Sequence, residues 1–362
     1  MTAQKILICL HDFSRGGTER IAIGLAASWA EAGRDVTILC GTQEGGLRTT
    51  VDGRVNVVAL APPIPRGFLS RFRLGRAMAQ KLAGLKPDVI FLPGNFHLLL
   101  AGALRRAAPS TVIALKISNP PLPGMLSSWL GRVSFRYFAR SIDGFACITS
   151  GFAREMAVLA PGKPAPVLHD PLYLRTSAQT LAAPQGKFNI LWAGRLEPQK
   201  DAGLALRTIA ALKQDAHLTL LGDGALRAKT DAMIARLGLG SRVTRMGYVP
   251  GIDPYLAQAD VFLMTSHYEG QPAVVGEALA HGVPVVSTDC SALLHELVAI
   301  PEAGKIVTTR DPADLAAALR EVLSRPRSPR AVLAGLVSQF DPQHCAQAYL
   351  DWFDTLTGAR HG

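Results

Sequence analysis

Residues Glu269 to Pro284 read Glu-Gly-Gln-Pro-Ala-Val-Val-Gly-Glu-Ala-Leu-Ala-His-Gly-Val-Pro. They follow the apolar run Asp260-Val-Phe-Leu-Met-Thr265, which has the length and composition of a buried strand, and Pro272 suits the first turn of a helix. Glu269 therefore falls on a strand-to-helix loop. Glu277 comes eight residues later, about 800° of rotation at ~100° per residue, so both carboxylates can face one cleft beyond the strand end. Gly270 lets a ligand approach the backbone, and the helix amides beyond Pro272 offer partial positive charge to an anion. One carboxylate can then hold hydroxyls while the amides hold a phosphate. On spacing alone the same residues also suit an ordinary βα unit with solvated glutamates.

The rest of the chain repeats that unit. Short apolar runs at Ile6–Leu10, Val36–Cys40, Val55–Ala59, Val89–Leu92, Thr111–Leu115 and Phe145–Ile148 are mostly separated by helix-length sequence. After the proline-rich interruption Ala160-Pro-Gly-Lys-Pro-Ala-Pro166, a second series begins at Asn189–Ala193 and continues through Leu218–Leu221, Val243–Met246, Val261–Thr265, Pro284–Thr288 and Lys305–Thr308. Such alternation predicts an α/β chain with two parallel, doubly wound sheets that bind ligands beyond the carboxyl ends of their strands. The boundary is placed at the interruption: 1–169 as one Rossmann-like domain, 170–340 as a second, and 341–362 as a terminal segment. Tyr349, Trp352, Phe353 and Leu356 recur at helical spacing in His344–Leu356, so that helix must pack on something.

A length of 362 residues with 48% hydrophobic content supplies two buried cores. The opening apolar run Ile6–Leu10 is too short for a signal segment or a membrane span, and no later run reaches spanning length. Cys9, Cys40, Cys147, Cys290 and Cys345 are odd in number and lack metal-ligand spacing, which fits a reducing cytoplasm. The net charge of +10 is uneven: residues 1–169 hold 20 Lys and Arg against 9 Asp and Glu, the remainder 18 against 19. A polyanion or an anionic membrane surface near the first half would account for that asymmetry, as would a merely soluble basic face. Nucleic acid is the weaker partner class, with 6% aromatic residues and no zinc, helix-turn-helix or stacking signature. Between Met125 and Arg140, Leu126, Trp129, Leu130, Val133 and Tyr137 follow helical spacing while Arg132, Arg136 and Arg140 recur every four residues on another face. Together with the basic stretch Arg66 to Arg76 this suits either a bilayer surface or a core helix with solvated arginines.

Glu-Gly-x-Pro followed by Gly-Glu-Ala and His-Gly-Val-Pro-Val-Val286 resembles the Glu-x7-Glu signature of the retaining family 4 glycosyltransferases. The resemblance implies the GT-B fold, two Rossmann-like domains facing a central cleft, with the last helix returning to the first domain. It extends to Gly194-Arg-Leu-Glu-Pro-Gln-Lys200, where two cations five apart on a loop after a strand suit a diphosphate. It implies Arg195 and Lys200 on the leaving diphosphate, Glu269 on the donor-sugar hydroxyls and Glu277 on the ribose. Gly194, Gly270, Gln271, Pro272 and Ala273 would line the same donor site. Gly222-Asp-Gly224 resembles the family's Gly-x-Gly loop, which leaves room for the nucleotide, and Gly247-Tyr248 stands where the base meets backbone groups. In the first half, His11-Asp12 precede Gly16-Gly17-Thr-Glu-Arg20, similar to the acceptor-domain loop that closes over the donor phosphate, with Thr18 read as an N-cap.

One position departs from the pattern. The family often carries a histidine after the fifth strand, whereas Ser118 and Asn119 stand there, and neither is a general base at neutral pH. In retaining members a leaving-group oxygen is thought to take the proton, so the histidine is not obligatory, and His11 and His97 remain spare candidates. No ligand cluster points to a metal, and no cofactor is implied beyond the substrate, for which a UDP-sugar is favoured over a GDP-sugar. The expected activity is metal-independent transfer of a hexosyl group to a glycan or lipid-linked acceptor in cell-envelope assembly. The protein is expected in the cytoplasm or peripherally on the inner membrane face. The alternatives are a nucleotide-sugar epimerase of the same fold and a non-catalytic nucleotide-sugar-binding protein. A dehydrogenase is disfavoured because neither half opens with Gly-x-Gly-x-x-Gly.

Overall fold

The computed structural model describes residues 2–67, 69–122, 129–174 and 187–361. They form two compact units, one of Met1–Pro171 with Phe340–Gly362 and the other of Leu172–Gln339.

The first unit runs β1 (Lys5–Leu10), α1 (Gly17–Glu31), β2 (Asp35–Cys40), β3 (Asn56–Ala59), α2 (Ser70–Leu85), β4 (Val89–Leu92), α3 (Ala101–Ala107), β5 (Val112–Ile117), α4 (Trp129–Ala139), β6 (Gly144–Cys147) and α5 (Ser150–Leu159). Its sheet is parallel, ordered β3-β2-β1-β4-β5-β6. Strands covered on both faces read as continuous apolar runs, and Ile6 to Leu10 and Val89 to Leu92 are buried throughout. β5 extends past the run ending at Leu115 because Lys116, fully buried, donates to Asp170 Oδ1 at 2.7 Å. A buried ammonium is tolerated only when paired, and the pair ties β5 to the segment that leaves this unit.

One local expectation changes, and one open choice is narrowed. Thr18 is not the N-cap of α1: the helix starts at Gly17 with Gly16 in the cap position, extended at φ −93°. The buried Glu19 side chain folds back so closely that a Cβ on Gly16 would lie 2.1 Å from Glu19 Oε2. In α4, Gly131, Phe135 and Ala139 face the core, whereas Trp129, Leu130, Val133 and Tyr137 are exposed. Met125 and Leu126 lie outside the described residues.

The second unit comprises β7 (Phe188–Ala193), α6 (Ala202–Ala211), β8 (Ala216–Leu221), α7 (Arg227–Arg236), β9 (Val243–Gly247), α8 (Asp253–Leu256), β10 (Val261–Met264), α9 (Ala273–Ala280), β11 (Val285–Thr288), α10 (Ala292–Leu297), β12 (Gly304–Val307), α11 (Pro312–Ser324) and α12 (Arg330–Gly335). Its parallel sheet is ordered β12-β11-β10-β7-β8-β9. In both sheets the order reverses beside the first strand, between β1 and β4 and between β7 and β10. A crevice opens there at the carboxyl ends, because successive connections pass to opposite faces.

The terminal helix α13 (Pro342–His361) belongs to the first unit. Tyr349, Trp352, Phe353 and Leu356 are buried. The Trp29 ring stands edge-on to Phe353 at 5.2 Å and to Phe91 at 5.4 Å, and its Nε1 donates to Ala346 O at 3.1 Å. Edge-to-face packing of this kind adds about 0.5–1.5 kcal/mol per pair beyond burial.

Candidate active site

The loop after β7 and the loop after β10 border the second unit's switch point, and each supplies a charged partner to the other. Lys200 Nζ donates to Glu269 Oε1 at 2.6 Å, and Ser266 Oγ donates to the same oxygen at 2.6 Å. Both members are largely shielded, with side chains 19% and 9% exposed, so this is a charge-assisted pair in a water-poor place. Glu269 N donates to Cys290 O at 2.7 Å, and Gln199 Nε2 to Tyr268 O at 2.9 Å, fixing the loop between them. Cys290 sits close enough to register the pair: burial first, and then the Glu269 charge, push its thiol up to about 11.

Arg195 behaves differently. It is 63% exposed and turned to Glu197, whose Oε1 accepts at 2.7 Å. Each of the two cations thus engages its own carboxylate. Glu277 lies half-buried near the middle of α9, with its carbonyl accepting from His281. Pro272 occupies the cap position of α9 rather than its first turn, and the amides of Ala273 and Val275 are taken by Gln271 O and Pro272 O, both at 2.9 Å. Those amides are therefore not the free donors that the sequence suggests. Gly270 O accepts from Ser291 Oγ at 2.8 Å, which ties the turn to α10.

The Gly-x-Gly loop holds a second surprise. A Cβ on Gly222, whose φ is +125°, would lie 1.9 Å from Gly194 O, and one on Gly224 would lie 2.7 Å from Leu196 O. These glycines make room for the backbone of the loop after β7, and Leu196 N donating to Asp223 O at 3.0 Å seals the contact. At the end of β9, Gly247 has φ +73° and Tyr248 is exposed.

In the first unit, His11 and Asp12 follow β1 while Asn95 and His97 follow β4, so all border that sheet's switch point. Arg66 binds Asp12 through both Nε and Nη2 and reaches Glu19 Oε1 at 2.6 Å. Burial pushes the Asp12 carboxyl up, but hydrogen bonds from Arg66 and Ser14 outweigh it and hold the group at about 2. Arg66 is therefore engaged by two carboxylates while its side chain stays half exposed. His97 is buried, which holds its imidazole at about 3 despite a contact with Gly94 O, so it takes no proton at neutral pH. His11 is also buried, and its Nε2 has no partner among the described residues. Asn95 receives the amide of Ser118 at 3.0 Å and donates to Asn119 O at 2.8 Å, fixing the loop after β5. Gly17 faces open space, unlike Gly16.

The profile described as "Glycosyl transferases group 1" matches residues 187–325, and that described as "Glycosyl transferase 4-like domain" matches residues 16–169. The chain belongs to the family 4 group of glycosyltransferases. This glycosyltransferase is 26% identical over 367 residues to the lipopolysaccharide core biosynthesis glycosyltransferase LpsD of Rhizobium meliloti, covering 95% of this chain and 97% of that protein. It is 28% identical to the GDP-mannose-dependent alpha-(1-6)-phosphatidylinositol dimannoside mannosyltransferase of Mycobacterium tuberculosis, over 87% and 86% of the two chains. Among solved structures, Anabaena HepE in complex with UDP and glucose superposes with a TM-score of 0.78 at 17% identity, covering 97% of this chain and 100% of that one. The fold is GT-B.

The sequence reading of this glycosyltransferase missed the residues that hold its two loops together. Arg310, beyond β12, donates to Asp201 Oδ2 at 2.7 Å, to Thr265 O at 3.0 Å and to Ser266 O at 2.9 Å. Asp201 follows Lys200 directly, adopts a left-handed φ of 44° and caps α6 by accepting from Leu204 N. Thr265 Oγ1 donates to the carbonyls of Lys200 and Asp201 and accepts from Trp192 Nε1 at 3.0 Å. Strain at Asp201 is thus maintained by several partners, as happens where a neighbouring side chain needs fixing. The only cue in the sequence is a lone Arg-Asp after the last strand. Among the described residues, no group of three His, Cys, Asp or Glu is arranged to hold a metal ion, and no helix is long and apolar enough to cross a membrane.

Proposed function

We propose that the chain transfers a sugar from a UDP-sugar to a lipid-linked acceptor in cell-envelope glycan assembly, with retention at the anomeric carbon and without a metal ion. The observation that carries this reading is the Lys200 to Glu269 contact at the second unit's switch point. It sets a cation for a diphosphate against a carboxylate for sugar hydroxyls at one hydrogen bond's distance. Arg195 and Lys200 neutralise charge on the leaving diphosphate, Glu269 holds the donor-sugar hydroxyls, and Glu277 holds the ribose. As the anomeric C–O bond to the diphosphate breaks, the acceptor oxygen bonds to that carbon, and its proton passes to a leaving phosphate oxygen. His97, held at about 3, and Asp12, held at about 2 and bound by Arg66, are poor bases for the acceptor proton, in keeping with a leaving-group base.

The UDP complex of HepE supports the donor class, and the names of the relatives from Rhizobium and Mycobacterium support an acceptor in lipopolysaccharide or glycolipid assembly. The test is a mass-spectrometric screen of UDP-, GDP- and dTDP-sugars with membrane extract as acceptor. Transfer from a UDP-sugar that survives EDTA, and falls roughly 10²- to 10³-fold in Arg195→Ala, is the expected result. Donor turnover without transfer, activity that EDTA abolishes and magnesium restores, or an Arg195→Ala protein of normal turnover would each contradict it.

A further inference from the structure

We infer that the face formed by α2, α3 and α4 of the first unit docks on an anionic lipid bilayer, with phosphate headgroups entering the cavity between these helices. The inference begins with α4. A surface helix normally turns its apolar stripe inward, yet here Trp129, Leu130, Val133 and Tyr137 lie within about 100° of one another around the axis and all point outward. Trp129 is 73% exposed, Leu130 68% and Tyr137 64%. The core is satisfied by a different stripe, Gly131, Phe135 and Ala139. Leu69 and Phe72, beside and within α2, are more than half exposed as well. Exposed aliphatic and aromatic side chains of this size on neighbouring helices mark a surface that is covered in use.

Charge identifies what covers it. From residue 66 to residue 140 there are twelve Lys and Arg and one acidic residue, Asp88. None of α2, α3 and α4 contains a carboxylate, and together they hold eight of the cations. A cavity of about 850 Å³ opens between them, lined by Arg76, Arg106 and Arg140 with Phe72, Tyr137 and Phe138. Among the described residues these three arginines carry no ion pair, unlike Arg66 and Arg105, which are paired with carboxylates. Guanidinium groups beside Trp, Tyr and Leu match the boundary of an anionic leaflet, where phosphate oxygens lie next to acyl carbon. Nucleic acid offers the phosphates without an apolar phase for Leu69, Leu130 and Val133.

The full chain is expected to sediment with phosphatidylcholine vesicles containing phosphatidylglycerol, to remain free of pure phosphatidylcholine vesicles, and to release as salt rises. Each arginine near the leaflet accounts for roughly fivefold, so Arg76→Gln, Arg106→Gln and Arg140→Gln combined should weaken binding about a hundredfold. Tryptophan fluorescence gives a local readout, because Trp29, Trp192 and Trp352 are buried while Trp129 is exposed. A blue shift on vesicle addition that disappears in Trp129→Phe places this face in the interface. Circular dichroism confirms that the variants are folded. No binding to anionic vesicles at low salt, or binding indifferent to both sets of substitutions, would overturn the inference. Displacement from vesicles by water-soluble glycerophosphate would overturn it in favour of a free phosphate ester. Concentration-dependent self-association that Leu130→Ala abolishes, without vesicle binding, would instead make the face a contact between copies of the chain.

Discussion

Changing Glu269 to Gln removes a charge that both Lys200 and Ser266 address at 2.6 Å. The amide oxygen can still accept from either, so the shape of the loop survives while the charge assistance goes. A hydrogen bond to a charged group contributes about 1.5–3 kcal/mol against about 0.5–1.5 kcal/mol for a neutral one, so losing the charge assistance of one bond to a sugar hydroxyl, about 1–1.5 kcal/mol, weakens the intact nucleotide sugar roughly 5- to 13-fold. Free UDP should respond in the opposite sense. In the unliganded protein Lys200 is engaged by Glu269, and a diphosphate must compete for it; with glutamine there the ammonium is less tightly held, and UDP binding is unchanged or tighter. Calorimetric titration of wild type and variant with UDP and with the UDP-sugar found in the donor screen measures both effects. The informative quantity is the ratio of the two dissociation constants, which cancels any general loss of active protein. Equal weakening of UDP and UDP-sugar would refute the division of labour between Lys200 and Glu269. Glu277→Ala is the internal control, expected to weaken both ligands alike if it holds the ribose.

Three further outcomes follow from neighbouring geometry. Arg310→Met should lower kcat on the order of 10²-fold by loosening the loops that carry Lys200 and Glu269, with partial recovery in Arg310→Lys; equal losses in both variants, explained by a fall in Tm, would show plain destabilisation. Lys116→Met removes the buried ammonium that faces Asp170 and should cost about 3–5 kcal/mol, lowering Tm by roughly 6–20 °C, while adding Asp170→Leu should restore most of it; a single variant within about 1 kcal/mol of wild type would contradict the buried pair. Because the folded state holds His97 at about 3, below its ordinary 6.5, its contribution is complete above about pH 6.5 and is lost as pH falls towards 3. Urea titrations from pH 7 to pH 4.5 should therefore show a slope of up to about 1.4 kcal/mol per pH unit that His97→Asn lacks, and an identical slope in both proteins would refute it.

The strands were legible because parallel, doubly covered strands are nearly uninterrupted apolar runs, and the switch points followed from their order. β5 was truncated in the reading for the same reason: Lys116 looks like a strand end until Asp170 is seen beside it. The charged residues of the second unit were legible where the motif is local, in Gly194 to Lys200 and Glu269 to Glu277. Arg310 and Asp201 were not, since their pairing spans 109 residues and an arginine in a surface loop has many possible partners. Gly222 and Gly224 show a subtler limit. The sequence marks correctly that no side chain fits there, but not that the backbone of Gly194 and Leu196 is what a side chain would meet. In α4 both stripes are apolar enough to enter a core, and only the packing of Phe135 decides which one does.

The position of α13 has a consequence for how the protein is made. Trp29 and Phe91 emerge from the ribosome early, yet the aromatic rings that enclose them, Tyr349 and Phe353, belong to a helix more than 250 residues further on. At about 5–20 residues per second, the Trp29 indole waits roughly 15–65 s for Phe353 to be synthesised. The unit encoded by Leu172–Gln339 is continuous and can consolidate during that interval. The aromatic cluster of the first unit thus cannot close until the whole of the second unit's sequence has been synthesised, and Trp29 and Phe91 lack those two rings throughout that interval.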